Sequence, residues 1–94
     1  MAKHPLREAA RGRPCTIQIP GVCNHNPETS VLCHLPSGGM GMKSDDRHAA
    51  IGCSSCHDIV DGRVRTTYHW SEIEDYLVHA VIRTQKIWIK EGLM

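Results

Sequence analysis

Cysteine and histidine are the residues of this 94-residue chain best equipped for chemistry, and both are abundant, with five Cys and seven His. Cys53-Ser54-Ser55-Cys56 is a C-x-x-C pair. On a turn, that spacing lets two thiolates face one ion at about 2.3 Å, although redox pairs use it as well. Cys15 and Cys23 are the natural partners, because the segment between them can form a short strand and a Pro20-Gly21 turn that folds back. Two sulfurs from each side complete a tetrahedral Cys₄ site, which favours zinc over magnesium or calcium. The competing readings are a thioredoxin-like redox pair, which needs a larger α/β fold, and buried, inert cysteines. Cys33 is left over, either as a core residue or as an additional metal ligand.

Two histidines stand in contexts suited to chemistry. His57 directly follows the C-x-x-C pair and opens a short helix, so its ring can face away from the metal knuckle. His34 closes the apolar run Val31-Leu32-Cys33 and precedes Pro36-Ser37-Gly38-Gly39, so a strand holds it while a glycine loop leaves room for a substrate. A neutral imidazole near pH 7 can take a proton from water. On spacing alone, both can equally be satisfied structural histidines, or His57 can be a zinc ligand. His4, His25, His69 and His79 lack such context and are expected at the surface.

The elements that must position these groups are short. Residues 1–13 read as a basic N-terminal arm with one helical turn at Leu6–Arg11, and residues 14–94 as the folded domain. Thr16-Ile17-Gln18-Ile19 alternates and is β-branched, which predicts a strand. Ser30–Leu35 predicts a second strand, and His48–Gly52 a third strand or a helical turn. Residues 24–29 read as a loop or a single helical turn. His57–Asp61 predicts a short helix stopped by Gly62. Ser71, with Glu74 three residues on, predicts an N-cap. The apolar positions Ile73, Tyr76, Leu77, Ala80, Val81, Ile87 and Trp88 then follow a helical period to a stop at Gly92.

Composition narrows the class. A single domain of this size has a thin core, and with no Phe, two Trp and two Tyr it calls for a disulfide or metal staple. An odd cysteine count rules out full intrachain pairing. Neither a signal peptide nor a membrane span is readable, so a cytoplasmic compartment is expected, where thiols more often bind metal than each other. The net charge of +1 says little about partners, but residues 1–13 carry four basic groups against one acid, and such an arm can contact DNA phosphates.

Taken together, Cys33-His34-Leu35-Pro36, then Asp45-Asp46-Arg47-His48, then Cys53-Ser54-Ser55-Cys56-His57 resemble the pattern of HNH nucleases. More closely, Ala9–Cys15, Ile19–Asn24, Asn26–Leu32, Cys53–Asp58, Arg83–Gln85 and Trp88–Gly92 resemble the YbcO family of phage and prophage nucleases, over nearly the whole chain. The RecA-dependent phage nuclease Ref is a more distant likeness. The resemblance implies an α+β fold, a zinc-stapled ββα-metal (HNH or His-Me finger) domain with a long C-terminal helix. It implies a metal-dependent DNA endonuclease in recombination or DNA processing, with DNA and a phage or host recombination protein as partners. It implies His34 as general base, His57 as ligand of a catalytic Mg²⁺ or other divalent ion, and Asp46, or else His48, at the central position. Cys15, Cys23, Cys53 and Cys56 would hold structural Zn²⁺. HNH enzymes usually carry Asp or His where Cys33 stands. The rival reading is a non-catalytic zinc module that binds DNA or a recombination protein.

Overall fold

A computed structural model describes residues 5–35 and 45–94. The glycine-rich loop after Leu35 and the residues before Pro5 lie outside the described residues. Helix α1, Pro5–Ala10, starts on a proline, which suits a first helical position because its missing N–H would be unsatisfied there anyway. It is not extended from the body, since Leu6 and Ala10 are buried. Strands β1, Val31–His34, and β2, Ala49–Gly52, pair antiparallel in the register Val31↔Gly52 through His34↔Ala49. Helix α2, Ser54–Val60, follows β2 directly, and helix α3, Trp70–Lys90, closes the chain. The architecture is therefore a small α+β fold, a two-stranded sheet with a long C-terminal helix. No helix among the described residues is long and apolar enough to cross a membrane.

The two-stranded sheet has a core on each face because strand side chains alternate. Cys33 and Ala50 face one cluster, which holds Ile17, Ile19, Ile59, Ile73, Leu77, Ala80 and Val81 beside the other buried cysteines. Leu32, Ala49 and Ile51 face the other, with Leu6, Ala10 and Trp88. All of β2 is buried. Arg13 lies with its guanidinium carbon 5.0 Å from the Trp88 ring centroid and pairs with Glu91. These contacts tie the start of the chain to the end of α3.

The strand expected at Thr16–Ile19 does not form. The segment is an irregular turn, with Gln18 in the left-handed region at φ 51°. Its alternation comes from Ile17 and Ile19 both pointing into the core from that turn, a pattern that a strand would also produce. Thr16 instead closes the free edge of β2. Its N–H and its hydroxyl both donate to the Ile51 carbonyl at 2.7 Å, and Thr84 on α3 accepts from the Ile51 N–H at 3.1 Å. The helix start is also corrected. His69, not Ser71, caps α3, its Nδ1 accepting from the Ser71 N–H at 3.2 Å. Gly62 and Gly92 both take positive φ just past a helix, as a C-terminal stop requires.

Gly52 ends β2 with no room for a side chain. A Cβ there would come within 2.6 Å of both Cys33 Sγ and Ile17 Cδ1. Ile17 can swing aside, but the cysteine side chain is short and fully buried. Gly52→Ala is therefore expected to destabilise the fold by about 1–3 kcal/mol through overpacking, read as a lower urea midpoint at unchanged slope. An unchanged midpoint would show that the core yields there.

Candidate functional site

Cys15, Cys23, Cys53 and Cys56 converge, with their four sulfurs all within 4.8 Å of one another. Cys53 and Cys23 stand 3.8 Å apart, about the edge of a tetrahedron with metal–sulfur bonds near 2.3 Å. Each half of the set is built by a local turn. Gln18 N–H points to Cys15 Sγ at 3.4 Å, and Cys56 N–H points to Cys53 Sγ at the same distance. Backbone N–H groups aimed at sulfur favour the thiolate. The left-handed Gln18 makes the first turn possible, and its side chain donates back to the Cys15 carbonyl at 3.0 Å. The chain then reverses at Pro20-Gly21, and Cys23 N–H returns to the Ile19 carbonyl. Tyr68 Oη donates to the Pro20 carbonyl at 2.6 Å and fastens that turn.

The electrostatics fit a site that expects a cation. The Cys15 thiol is drawn down to about 4, chiefly by a hydrogen bond from the Cys56 thiol, against the opposing effect of burial. Cys56 is correspondingly pushed up as the donor, and burial raises Cys23. Four soft, crowded sulfurs can hold a metal ion such as zinc. Cys33 stands outside this set. It is fully buried among apolar groups, and that burial raises its thiol well above the ordinary value. It is a core residue.

His34 and Asp46 meet at the opposite end of the hairpin. His34 shares the face of β1 that carries Leu32. Asp46 opens a 3-10 turn, Asp46–His48, that Asp45 caps through the Arg47 N–H at 2.8 Å. His34 Nε2 lies 2.7 Å from Asp46 Oδ1, and Arg7 Nε on α1 donates to the same oxygen at 3.2 Å. Burial raises the Asp46 carboxyl, but the hydrogen bonds from His34 and Arg7 outweigh it and hold the group below its ordinary value. Both His34 and Asp46 remain partly open to solvent. His48 is exposed on the same turn, and its carbonyl accepts from the Leu35 N–H. The resemblance implied Asp46, or else His48, at a central position of the site, but nothing in the sequence points to Arg7, which reaches the pair from residues read as an arm.

His57 sits one turn into α2, partly exposed, with Nε2 3.4 Å from Asp61 Oδ2. The i, i+4 spacing sets both side chains on one helix face, and Arg63 also approaches Asp61, at 3.7 Å. Asp61 was not singled out from the sequence, although its helical spacing from His57 was available there. An imidazole beside a carboxylate oxygen is a donor pair suited to a divalent ion.

Known proteins resemble the chain throughout. The family described as "Putative nuclease YbcO" matches residues 4–93. Proteins named "Putative nuclease YbcO" from Escherichia coli K12 and "Putative nuclease ybcO" from Enterobacteria phage 82 are each 46% identical over 95 aligned positions, covering 95% of both chains. A solved structure, "Structure of a putative bacteriophage protein from Escherichia coli str. K-12 substr. MG1655", superposes with a TM-score of 0.81 at 44% identity. That match covers 94% of this chain and all of the other.

The sulfur set yields a direct expectation. Native mass spectrometry of zinc-loaded protein should find one zinc per chain. A strong chelator should abolish the cooperative thermal transition seen by circular dichroism, since such a site contributes on the order of 10 kcal/mol to folding. A melt unchanged by chelation would remove the metal from the account of stability.

Proposed function

This chain belongs to the YbcO family, and on that premise we propose that it is a metal-dependent DNA endonuclease of the HNH type. The observation that carries the reading is the hydrogen bond between His34 and Asp46 at the end of β1. It occurs within a unit that runs β1, β2, α2 and whose helix bears His57. That order of elements supports a ββα-metal site.

The chemistry follows from the hydrogen bonds. With Asp46 ionised, His34 Nε2 keeps its proton to donate to the carboxylate, and Nδ1 is the nitrogen with a free lone pair. Nδ1 then accepts a proton from water as the water oxygen attacks phosphorus. The bond from phosphorus to the leaving sugar oxygen breaks, and that oxygen takes up a proton from solvent. Asp46 stabilises the imidazolium that forms, and Arg7 holds Asp46 in place. His57 and Asp61 would hold a divalent ion, Mg²⁺ or Mn²⁺, which when bound offsets the negative charge growing on the phosphate. The Cys₄ set would hold a zinc ion that is coordinatively closed and purely structural. The basic segment at the start of the chain would contact the phosphate backbone. Relatives in a phage and in Escherichia coli favour work on phage or prophage DNA, in recombination or processing, in the bacterial cytoplasm where thiols stay reduced.

His34→Ala should lower plasmid nicking in Mg²⁺ or Mn²⁺ by at least about 10²-fold, with the circular dichroism melt unchanged. Asp46→Asn should lower it too, by loss of the charge that steadies the imidazolium. Nicking unaffected by His34→Ala would sink the role of that residue as base, and a folded protein that never nicks DNA would leave a zinc-stapled adaptor.

A further inference from the structure

Helix α3 leaves one face uncovered. Val78, Ile82 and Ile89 are exposed along it, Leu93 extends the line just past its end, and Trp70 is exposed at its start. The four- and seven-residue steps put Val78, Ile82 and Ile89 in one stripe, opposite the buried Ile73, Leu77, Ala80 and Thr84. Gln85, bound to the Arg47 carbonyl, borders it on one side, and Asp75, 3.5 Å from His79 of the same helix, borders it on the other. The charges along this helix are sorted, with Glu72, Glu74 and Asp75 in the first third and Arg83, Lys86 and Lys90 in the second half. The helix dipole accounts for Glu72 and Lys90, since its influence fades within one turn of each end. It does not place Asp75 or Lys86.

We infer that this face is self-complementary and that two copies of the chain pair through α3, antiparallel about a two-fold axis. Such an interface is isologous, so each contact occurs twice. With the axis beside residue 80, Val78 of one copy faces Ile82 of the other, and Ile89 faces the opening turn at Trp70 and Ser71. In the same register Asp75 falls beside Lys86 of the second copy, and Glu72 beside Lys90. Apolar and ionic pairs thus agree on one alignment along a helix of 21 residues, about 31 Å long. A parallel alignment would set acid on acid. An unrelated partner would not require the charge order to mirror itself about the middle of the stripe.

A single helix pair lies at the small end of specific interfaces, under about 1,200 Å², so the dimer should form with a Kd on the order of 10–100 µM. Sedimentation equilibrium of the zinc-loaded protein across that range should give a monomer–dimer curve. Ile82→Asp should raise Kd more than about tenfold, and so should the double variant Glu72→Lys/Asp75→Lys. Adding Lys86→Glu/Lys90→Glu to that double variant reverses the whole pattern and should restore the dimer. If the fourfold variant loses helix by circular dichroism, the two half-reversed doubles are mixed instead, and they should form a heterodimer that neither makes alone. A monomer throughout the range, a dimer indifferent to Ile82→Asp, or no recovery on charge reversal and no heterodimer would each overturn the pairing.

Discussion

Convergence of four sulfurs on one point is the constraint from which the other positions follow. A domain this small has little apolar surface to bury, and natural domains are stable by only about 5–15 kcal/mol in total. A metal bound at such a set contributes a comparable amount. The geometry that gathers the sulfurs also places the rest. The turn after Cys15 carries Thr16 to the outer edge of β2, where it meets Ile51 and Thr84. The turn through Cys53 launches α2.

The hairpin therefore has two differently built ends. Its Gly52 end runs straight into the sulfur cluster. Its His34 end is closed by the Asp46 turn and by Arg7 from α1. Three residue steps of strand, about 10 Å, separate Gly52 from Ala49, the partner of His34. A metal ion held by the four sulfurs would thus share one short hairpin with an open, polar pair without competing for ligands. Cys33 keeps them apart chemically as well, because it is buried as a neutral thiol on the face away from His34.

Much of this arrangement was readable in the amino-acid order. The four cysteines identified themselves by number and spacing, and the periodicity of α3 located its buried face to within a residue or two. The strand at Val31–His34 was also expected, whereas Ala49–Gly52 falls where the sequence left a strand and a helical turn equally open. What failed was local and has physical causes. Thr16–Ile19 carries the alternation of a strand because two isoleucines must reach the core, but the knuckle needs a left-handed residue at Gln18 that no propensity signals. His69 took the cap that Ser71 seemed made for, because an imidazole nitrogen can accept from a helix N–H as a hydroxyl does. Arg7 was not legible because its place at the site depends on how distant segments fold together, whereas the i, i+4 spacing of Asp61 from His57 was there to be read.

Cys53 is at once a member of the sulfur set and the first cap of α2, since its Sγ accepts from the Cys56 N–H. Among the described residues no other member of the sulfur set caps a helix. Serine or aspartate would begin the helix but offer hard oxygen in place of soft thiolate, and alanine would forfeit both. A metal ion held there would thus weld coordination and chain direction at a single atom, so that the heading of α2, with the imidazole it bears, would be inherited from the bond angle at that sulfur.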